Sequence, residues 1–416
     1  MGTGRIIFHI DMNCFYVSCE LISRPELRDV PVAVAPNASR RKSIILSANY
    51  EARKYGIRAA MSVSEALRIY PNLVLLESHM ELYSECSQRF FNYFFEITPL
   101  VEPASIDEGY LDVTEVCEKI NAIDLANKIQ RDLLELYGLP CSIGIAPNKS
   151  LAKIASDMKK PLGISILRKR EVPNLLWPMK VETLPGVGKK TLPLLKMLKI
   201  NTVGDLANYP NLKTLEEVLG PTNSKSLVAL AHGDGSNVLD LNRFNEASSI
   251  SNSQTFDNDE YDLTNIKSVL KILTNSVSYR LERHRYKAYT FTLQLRYGNY
   301  RTISKCRTLN NPINNAKEMY ILLEDIFDEI YEDGIPIRLV GVAANKLINY
   351  EEEIYQISIF DNLDEEEKEN SINSLVIDLQ NTFGNSVIKR GVEEKNNNDK
   401  MFKYDKSYKK LSQKIN

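Results

Sequence analysis

Arg5-Ile6-Ile7-Phe8-His9-Ile10-Asp11-Met12-Asn13-Cys14-Phe15-Tyr16 is the stretch whose reading decides the fold. Its apolar run, bounded by Arg5 and Asp11, reads as a buried strand. A buried strand that ends in a carboxylate requires a partner for the charge, because an unpaired buried ion is costly. A metal ion is one such partner. Further along, Pro103-Ala104-Ser105-Ile106-Asp107-Glu108-Gly109-Tyr110-Leu111-Asp112 repeats the pattern, with acids beside a strand-like run. If the two segments are neighbours in one sheet, Asp11 meets Asp107 and Glu108. Three carboxylates suit Mg²⁺ or Mn²⁺ rather than zinc.

The chain has 416 residues, which predicts roughly 2–4 domains. Hydrophobic content of 43% and charged content of 25% are those of an ordinary globular protein. The net charge of −2 argues by itself against a nucleic-acid partner, so the distribution of charge has to decide. Cys14, Cys19, Cys86, Cys117, Cys141 and Cys306 are scattered without a CxxC pair, which predicts reduced thiols and no zinc site. No apolar run approaches the roughly 20 residues of a membrane span. The start lacks a signal peptide's apolar region, and position 6 is Ile rather than the Ser or Thr of a myristoylation site. The expectation is a cytoplasmic protein.

After the first strand, residues 14–21 have helical spacing. A short strand at 30–35, a basic turn at Ser39-Arg40-Arg41-Lys42 and a helix from about 48 to 55 follow. Tyr50 and Arg53 share a face of that helix. A hydroxyl and a planar guanidinium there suit a triphosphate, although a solvated surface pair has the same spacing. Residues 80–95 form a helix with a core stripe of Leu82, Phe90, Phe91, Phe94 and Phe95, and His79 beside it reads as a surface or satisfied histidine. Alternating strands and helices up to Lys160 around clustered acids predict an α+β domain.

From Glu182 the elements shorten. Leu184-Pro185-Gly186-Val187-Gly188-Lys189-Lys190 before residues 192–198 is a helix-hairpin-helix signature. Its glycines let backbone N–H groups approach a DNA phosphate. Beyond a polar, serine-rich linker, a strand-like stretch from Ser248 to Phe256, a helix, two strands, a helix and a strand complete a β-α-β-β-α-β pattern. Tyr289, Phe291, Leu293, Leu295 and Tyr297 alternate with Thr290, Thr292, Gln294 and Arg296, a half-exposed strand. Arg280, Arg283, Arg285, Lys287, Arg296, Arg301, Lys305 and Arg307 stand against Glu282 alone, and several are expected on the polar face of the open sheet as a footprint for a phosphate backbone. Acidic residues around Gln356-Ile357-Ser358-Ile359-Phe360 then restore the balance. In that pentapeptide Ile359 and Phe360 would fill an apolar pocket while Gln356 makes directional hydrogen bonds; an edge strand would carry the same pattern.

The motifs Asp11-Met12-Asn13-Cys14-Phe15-Tyr16, Ser47-Ala48-Asn49-Tyr50-Glu51-Ala52-Arg53, Ser105-Ile106-Asp107-Glu108 and Asn148-Lys149-Ser150-Leu151-Ala152-Lys153 occur in this order. With Lys160-Pro161-Leu162-Gly163 and Leu184-Pro185-Gly186-Val187-Gly188, they resemble the Y-family DNA polymerases, most closely the DinB (DNA polymerase IV) type. The resemblance covers about the first half of the chain. It implies a multidomain α+β polymerase right hand. The palm would be residues 1–13 and 80–168, the small fingers 14–79, and the helical thumb with its helix-hairpin-helix 169–238. A linker at 239–253, a β-α-β-β-α-β little finger at 254–350, a clamp-binding segment at 351–363 and a helix with a disordered tail at 364–416 would follow.

The implied activity is template-directed, low-fidelity translesion DNA synthesis without proofreading. It would run on two Mg²⁺ ions, or Mn²⁺, with primer-template DNA and dNTP as partners, no membrane, and a monomer that docks on the bacterial sliding clamp through Gln356, Ile359 and Phe360. Asp11, Asp107 and Glu108 would be catalytic metal ligands, with the Met12 carbonyl. Adjacent strand residues point to opposite faces, so Asp107 and Glu108 converge only across a bend. Phe15 and Tyr16 would lie under the nucleotide sugar, Tyr16 as the steric gate. Ser47, Tyr50, Arg53 and Lys160 would contact the triphosphate. Gly186, Gly188, Lys189, Arg296, Arg301 and Arg307 would contact DNA. Two departures stand out: Gly109, where alanine is usual, would loosen the hairpin, and Asn13 replaces a frequent aspartate. The second glycine turn, at Leu219-Gly220, lacks the usual basic-glycine pair. Three other readings remain open. They are a UmuC-like subunit needing partner proteins, a non-catalytic DNA-binding accessory protein, and a nucleotidyl cyclase.

Overall fold

A computed structural model describes residues 4–242 and 247–349, which fall into two compact units. The segment with Gln356, Ile359 and Phe360, and the expected helix and tail of 364–416, lie outside the described residues.

In the first unit the elements are β1 (Ile7–Met12), α1 (Phe15–Ile22), β2 (Val32–Ala35), β3 (Ser47–Ala48), α2 (Tyr50–Lys54), α3 (Val63–Ile69), β4 (Val74–Glu77) and α4 (Met80–Ile97). They continue with β5 (Val101–Pro103), β6 (Glu108–Asp112), α5 (Ala122–Tyr137), β7 (Cys141–Ala146), α6 (Lys149–Asp157) and β8 (Ile164–Ile166). Four short helices follow: α7 (Thr191–Met197), α8 (Val203–Ala207), α9 (Leu212–Leu219) and α10 (Pro221–Ala231).

The central sheet runs β5-β6-β1-β7-β8, with β1 in the middle. That placement explains its nearly unbroken apolar run, because both faces are covered. Phe8, Ile10 and Met12 enter a core with Phe90, Phe91, Phe94, Leu111 and Ile143. Ile7 enters a second core with Tyr110, Leu151, Ala152, Leu176 and Leu184. The buried stripe of α4 is Tyr83, Cys86, Phe90, Phe91 and Phe94, whereas Leu82 and Phe95 only flank it. A smaller sheet, β3-β2-β4, packs its own core of Ala33, Ile45, Ala52 and Val63.

Two glycines set the spacing around the central sheet. A Cβ on Gly144 would lie 1.9 Å from the Ala152 carbonyl, so α6 sits on β7 at a distance only glycine permits. A Cβ on Gly109 would lie 2.8 Å from Phe91 Cε1. The Phe91 ring therefore fills the space of the absent methyl, and Gly109 is a packing position rather than a looseness in the hairpin.

The second unit is β9 (Ser249–Glu260), α11 (Leu263–Arg283), β10 (Tyr286–Tyr297), β11 (Thr302–Ile313), α12 (Ala316–Ile330) and β12 (Ile337–Asn349). The antiparallel sheet order is β11-β10-β12-β9. Phe291, Leu293, Leu295 and Tyr297 are fully buried beneath the helices. Two expectations need correction. The linker expected at 239–253 ends earlier, since Ser249 to Ser253 already pair with Asn345 to Gly341. The strand expected from Ser248 to Phe256 is present as β9, so the expected linker bound reaches too far into it. The period of two also fails at Tyr289, because the β10–β11 register shifts between Ala288 and Thr290 and Ala288 takes the buried place.

Gly144→Ala is expected to lower stability by roughly 1–3 kcal/mol or more, since backbone rather than a side-chain end must move. Chemical unfolding measures this, and an unchanged midpoint would contradict the close α6–β7 packing.

Candidate active site

Asp11 pairs in register with Glu108 on β6 and with Ser142 on β7. Opposed residues share a face, so the two carboxylates stand side by side. His9, two residues before Asp11, shares that face. Ligand atoms of His9, Asp11 and Glu108 all lie within 4.8 Å of one another. Asp107 is outside that group. It ends a bend at residues 105–107, where its carbonyl accepts from Met12 N–H at 2.9 Å and its carboxylate accepts from Ser105 Oγ at 2.5 Å. Ser87 Oγ holds the bend by donating to the Ile106 carbonyl at 2.7 Å.

Each carboxylate has its own cation. Lys160 Nζ lies 2.7 Å from Asp11 Oδ2 and 2.7 Å from Asp157 Oδ1. Lys153 Nζ donates to Glu108 Oε2 at 2.5 Å. Burial raises the Asp11 pKa, and Lys160 only partly opposes it. Burial acts on Glu108 in the same sense, but His9 and Lys153 outweigh it and pull the group down to about 2. For Lys160, burial is outweighed by Asp11 and Asp157, so the ammonium is held above its ordinary range. Fully buried His9 meets Ser156 Oγ at 2.8 Å through Nδ1. Its Nε2 lies 3.3 Å from Glu108 Oε2 without hydrogen-bond geometry.

Asn13 fixes the loop that carries Lys160. Its Oδ1 accepts from Leu162 N–H at 2.9 Å, and its Nδ2 donates to Ser142 Oγ at 3.0 Å. The amide thus ties β1 and β7 to the loop after α6. Cys14 follows with φ 49°, a left-handed conformation that turns the chain from β1 into α1. Burial pushes the Cys14 thiol up to about 11 against the opposing fields of Arg53 and Lys160.

Ser47 is buried, while Tyr50 and Arg53 are presented by α2. Asn49 caps that helix, with Oδ1 accepting from Ala52 N–H at 2.9 Å and Val32 N–H at 3.0 Å. The Arg53 guanidinium lies 4.8 Å from the Tyr50 ring centroid, and its Nε donates to the Ala48 carbonyl at 2.9 Å. Tyr50 Oη is buried with no hydrogen-bond partner among the described residues. Burial raises the Tyr50 pKa, so the hydroxyl is a donor in want of an acceptor.

Tyr16 stacks on Tyr83 at 4.5 Å and 19°. Phe15 belongs to the core instead: it is 3% exposed and meets Phe90 edge-on at 5.9 Å. This corrects its expected place under a sugar. The first turn of α1 points residue 15 at α4 and leaves only Tyr16 facing outward.

Gly186, with φ 94°, Gly188 and Lys189 lie on an exposed turn before α7. In the second unit, Arg296 pairs with Thr302 and lies in the open-face row with Thr290, Thr292 and Gln294. Lys305 and Arg307 do not, which corrects the expected basic face. They oppose buried Leu293 and Phe291, on the helix side, where Lys305 pairs with Glu329 and Arg307 with Glu329 and Asp325 on α12. Arg301 pairs with Glu332. The alternation carries this signal: Ile303 and Leu309 share parity with Lys305 and Arg307. His9 and Lys153 were also missed as site residues, although the parity of His9 with Asp11 was visible.

The chain is similar to known proteins over most of its length. The impB/mucB/samB family profile matches residues 10–157, its C-terminal domain 247–359 and its helix-hairpin-helix motif 169–200. DNA polymerase IV of Bacillus velezensis is 40% identical, covering 94% of this chain and 93% of that protein. DNA polymerase IV 1 of Bacillus subtilis is 40% identical, covering 96% of this chain and 95% of that one. A solved Y-family DNA polymerase chimera of Dbh and Dpo4 is similar with a TM-score of 0.73 at 27% identity, covering 83% of this chain and 99% of that one.

Because the folded pKa of Glu108 is depressed, its contribution to stability is present above about pH 4.5 and is lost as pH falls towards 2. In chelator-treated protein, Lys153→Met is expected to move that loss to higher pH. Acid unfolding curves check this, and superimposable curves would contradict the Lys153–Glu108 pairing.

Proposed function

The chain belongs to the DNA polymerase IV group of the Y-family DNA polymerases, and from that premise we propose how its own residues perform template-directed translesion synthesis. The observation that carries the proposal is the side-by-side placement of the Asp11 and Glu108 carboxylates beside the Asp107 bend. Hard oxygen donors crowded in this way fit Mg²⁺, with Mn²⁺ as a substitute, and Asp11, Glu108, Asp107 and the Met12 carbonyl would hold the ions. Divalent cations there would activate the primer 3′-hydroxyl and neutralise the triphosphate.

The protein's own groups do the rest by positioning and electrostatics. Lys160 and Arg53 supply positive charge on the nucleotide side, and the Tyr50 hydroxyl donates to a phosphate oxygen. Ser47, on β3 just before α2, contacts the triphosphate with them. Tyr16 packs against C2′ of the sugar and leaves no room for a ribose hydroxyl. Residues 1–13 and 80–168 serve as palm, 14–79 as fingers, 169–238 as thumb and the second unit as little finger. Gly186, Gly188 and Lys189 approach the duplex phosphates through backbone and charge. Arg296 and the hydroxyl-bearing open sheet face do so from the little finger, with Arg301 exchanging its acidic partner for phosphate. Gln356, Ile359 and Phe360 dock on the sliding clamp, and the protein acts as a cytoplasmic monomer. Among the described residues no helix is long and apolar enough to cross a membrane.

The pure protein is expected to extend a primed template with Mg²⁺ alone. Asp11→Asn and Asp107→Ala are each expected to lower the rate by roughly a thousandfold or more. A dependence on added protein would favour the UmuC-like alternative, and activity retained by both variants would overturn the assignment. Tyr16→Ala is expected to admit ribonucleotides in the same assay.

A further inference from the structure

Glu20 is a charged residue with no part in the chemistry above, yet its side chain is only 2% exposed. A buried carboxylate is less favourable than apolar packing of the same volume, so its retention calls for a positional role. Three donors surround it. Tyr83 Oη donates to Oε1 at 2.7 Å, His79 Nδ1 lies 2.8 Å from the same oxygen, and Arg24 Nη1 donates to Oε2 at 2.7 Å. Burial would raise the Glu20 pKa, but the His79, Tyr83 and Arg24 hydrogen bonds prevail and lower it. The Tyr83 phenol is held well above its ordinary range, first by burial, and so remains a donor.

The geometry of α1 links this cluster to the sugar gate. Tyr16 and Glu20 are four residues apart and share a helix face. Tyr83 lies across that face. Its ring stacks on Tyr16 at 4.5 Å while its hydroxyl is fixed by Glu20 at 2.7 Å. The ring is fully buried and also meets Phe15 at 6.4 Å, so it is packed on its sides and held at its hydroxyl end.

We propose that Glu20 and Tyr83 are positioning residues for sugar discrimination. Glu20 pins Tyr83 through its hydroxyl, and the pinned ring sets the angle of Tyr16 against the nucleotide sugar. This rests on the reading of Tyr16 as the steric gate. Neither residue touches the nucleotide. Release of the pin lets the Tyr83 ring tilt, Tyr16 follows it, and a ribose hydroxyl gains space.

Single-nucleotide insertion with matched deoxy- and ribonucleotides tests this on the full chain. Tyr83→Phe keeps the ring and removes only the hydroxyl, while Glu20→Gln keeps the shape and removes the charge. Each is expected to raise kcat/KM for the ribonucleotide roughly tenfold through KM, with kcat for the deoxynucleotide held within about twofold. In a Tyr16→Ala background neither is expected to shift the ratio further, because the element they orient is gone. Should Glu20→Gln fail to fold, Tyr83→Phe decides alone. A ribose ratio shifted by Tyr16→Ala but not by Tyr83→Phe would overturn the positioning role alone. An equal loss for both sugars, or an added shift on Tyr16→Ala, would do the same. A ratio that Tyr16→Ala itself leaves unmoved would remove the gate, and the positioning role with it.

Discussion

Two carboxylates opposed across adjacent strands, in a sheet covered on both faces, are the constraint on which this fold is built. Asp11 and Glu108 repel each other and are both partly desolvated, and each effect favours protonation. The protein resolves this unevenly. Glu108 is pulled far down by His9 and Lys153, whereas Asp11, with Lys160, stays above the ordinary range. Such a site is held together by cations of its own, the ammonium groups of Lys153 and Lys160.

Both counter-cations come from one piece of chain. Lys153 lies on α6, and Lys160 follows just after its end. The approach of α6 therefore sets the charge balance of the site, which explains why β7 carries glycine where the Ala152 carbonyl passes. Asn13 completes the arrangement by clipping the Lys160 loop to the turn after β1. Its amide donates to Ser142 and accepts from Leu162, so an uncharged side chain serves there. Asn49 performs a similar task at α2. It caps α2 and ties it to β2, and that holds Tyr50 and Arg53 in place.

Much of this was legible in the sequence. The run Ile7 to Met12, read as a buried strand ending in an acid, gives the central strand, and the second acidic segment gives its neighbour. A bend does lie at residues 105–107, but the Asp107 carboxylate stays outside the group formed by His9, Asp11 and Glu108. The β-α-β-β-α-β order of the second unit follows from periodicity alone. What escaped had physical causes. Phe15 and Tyr16 are both aromatic, and only the angle at which α1 leaves Cys14 decides which is buried. Lys305 and Arg307 look like an open basic face until their parity with Ile303 and Leu309 is followed into acids on α12. Of the partners of Glu20, Arg24 is an i,i+4 neighbour visible in the sequence, whereas His79 and Tyr83 come from the distant start of α4 and leave no local pattern.

The account stands on divalent cations binding at Asp11, Glu108 and Asp107 where a primer end reaches them. A crystal of the protein with primed template, an unreactive nucleotide and Mn²⁺, measured at the manganese edge, examines this directly. The account predicts anomalous peaks in contact with these three carboxylates. Peaks elsewhere, or none while the nucleotide is bound and Lys160 remains on Asp11, would contradict it.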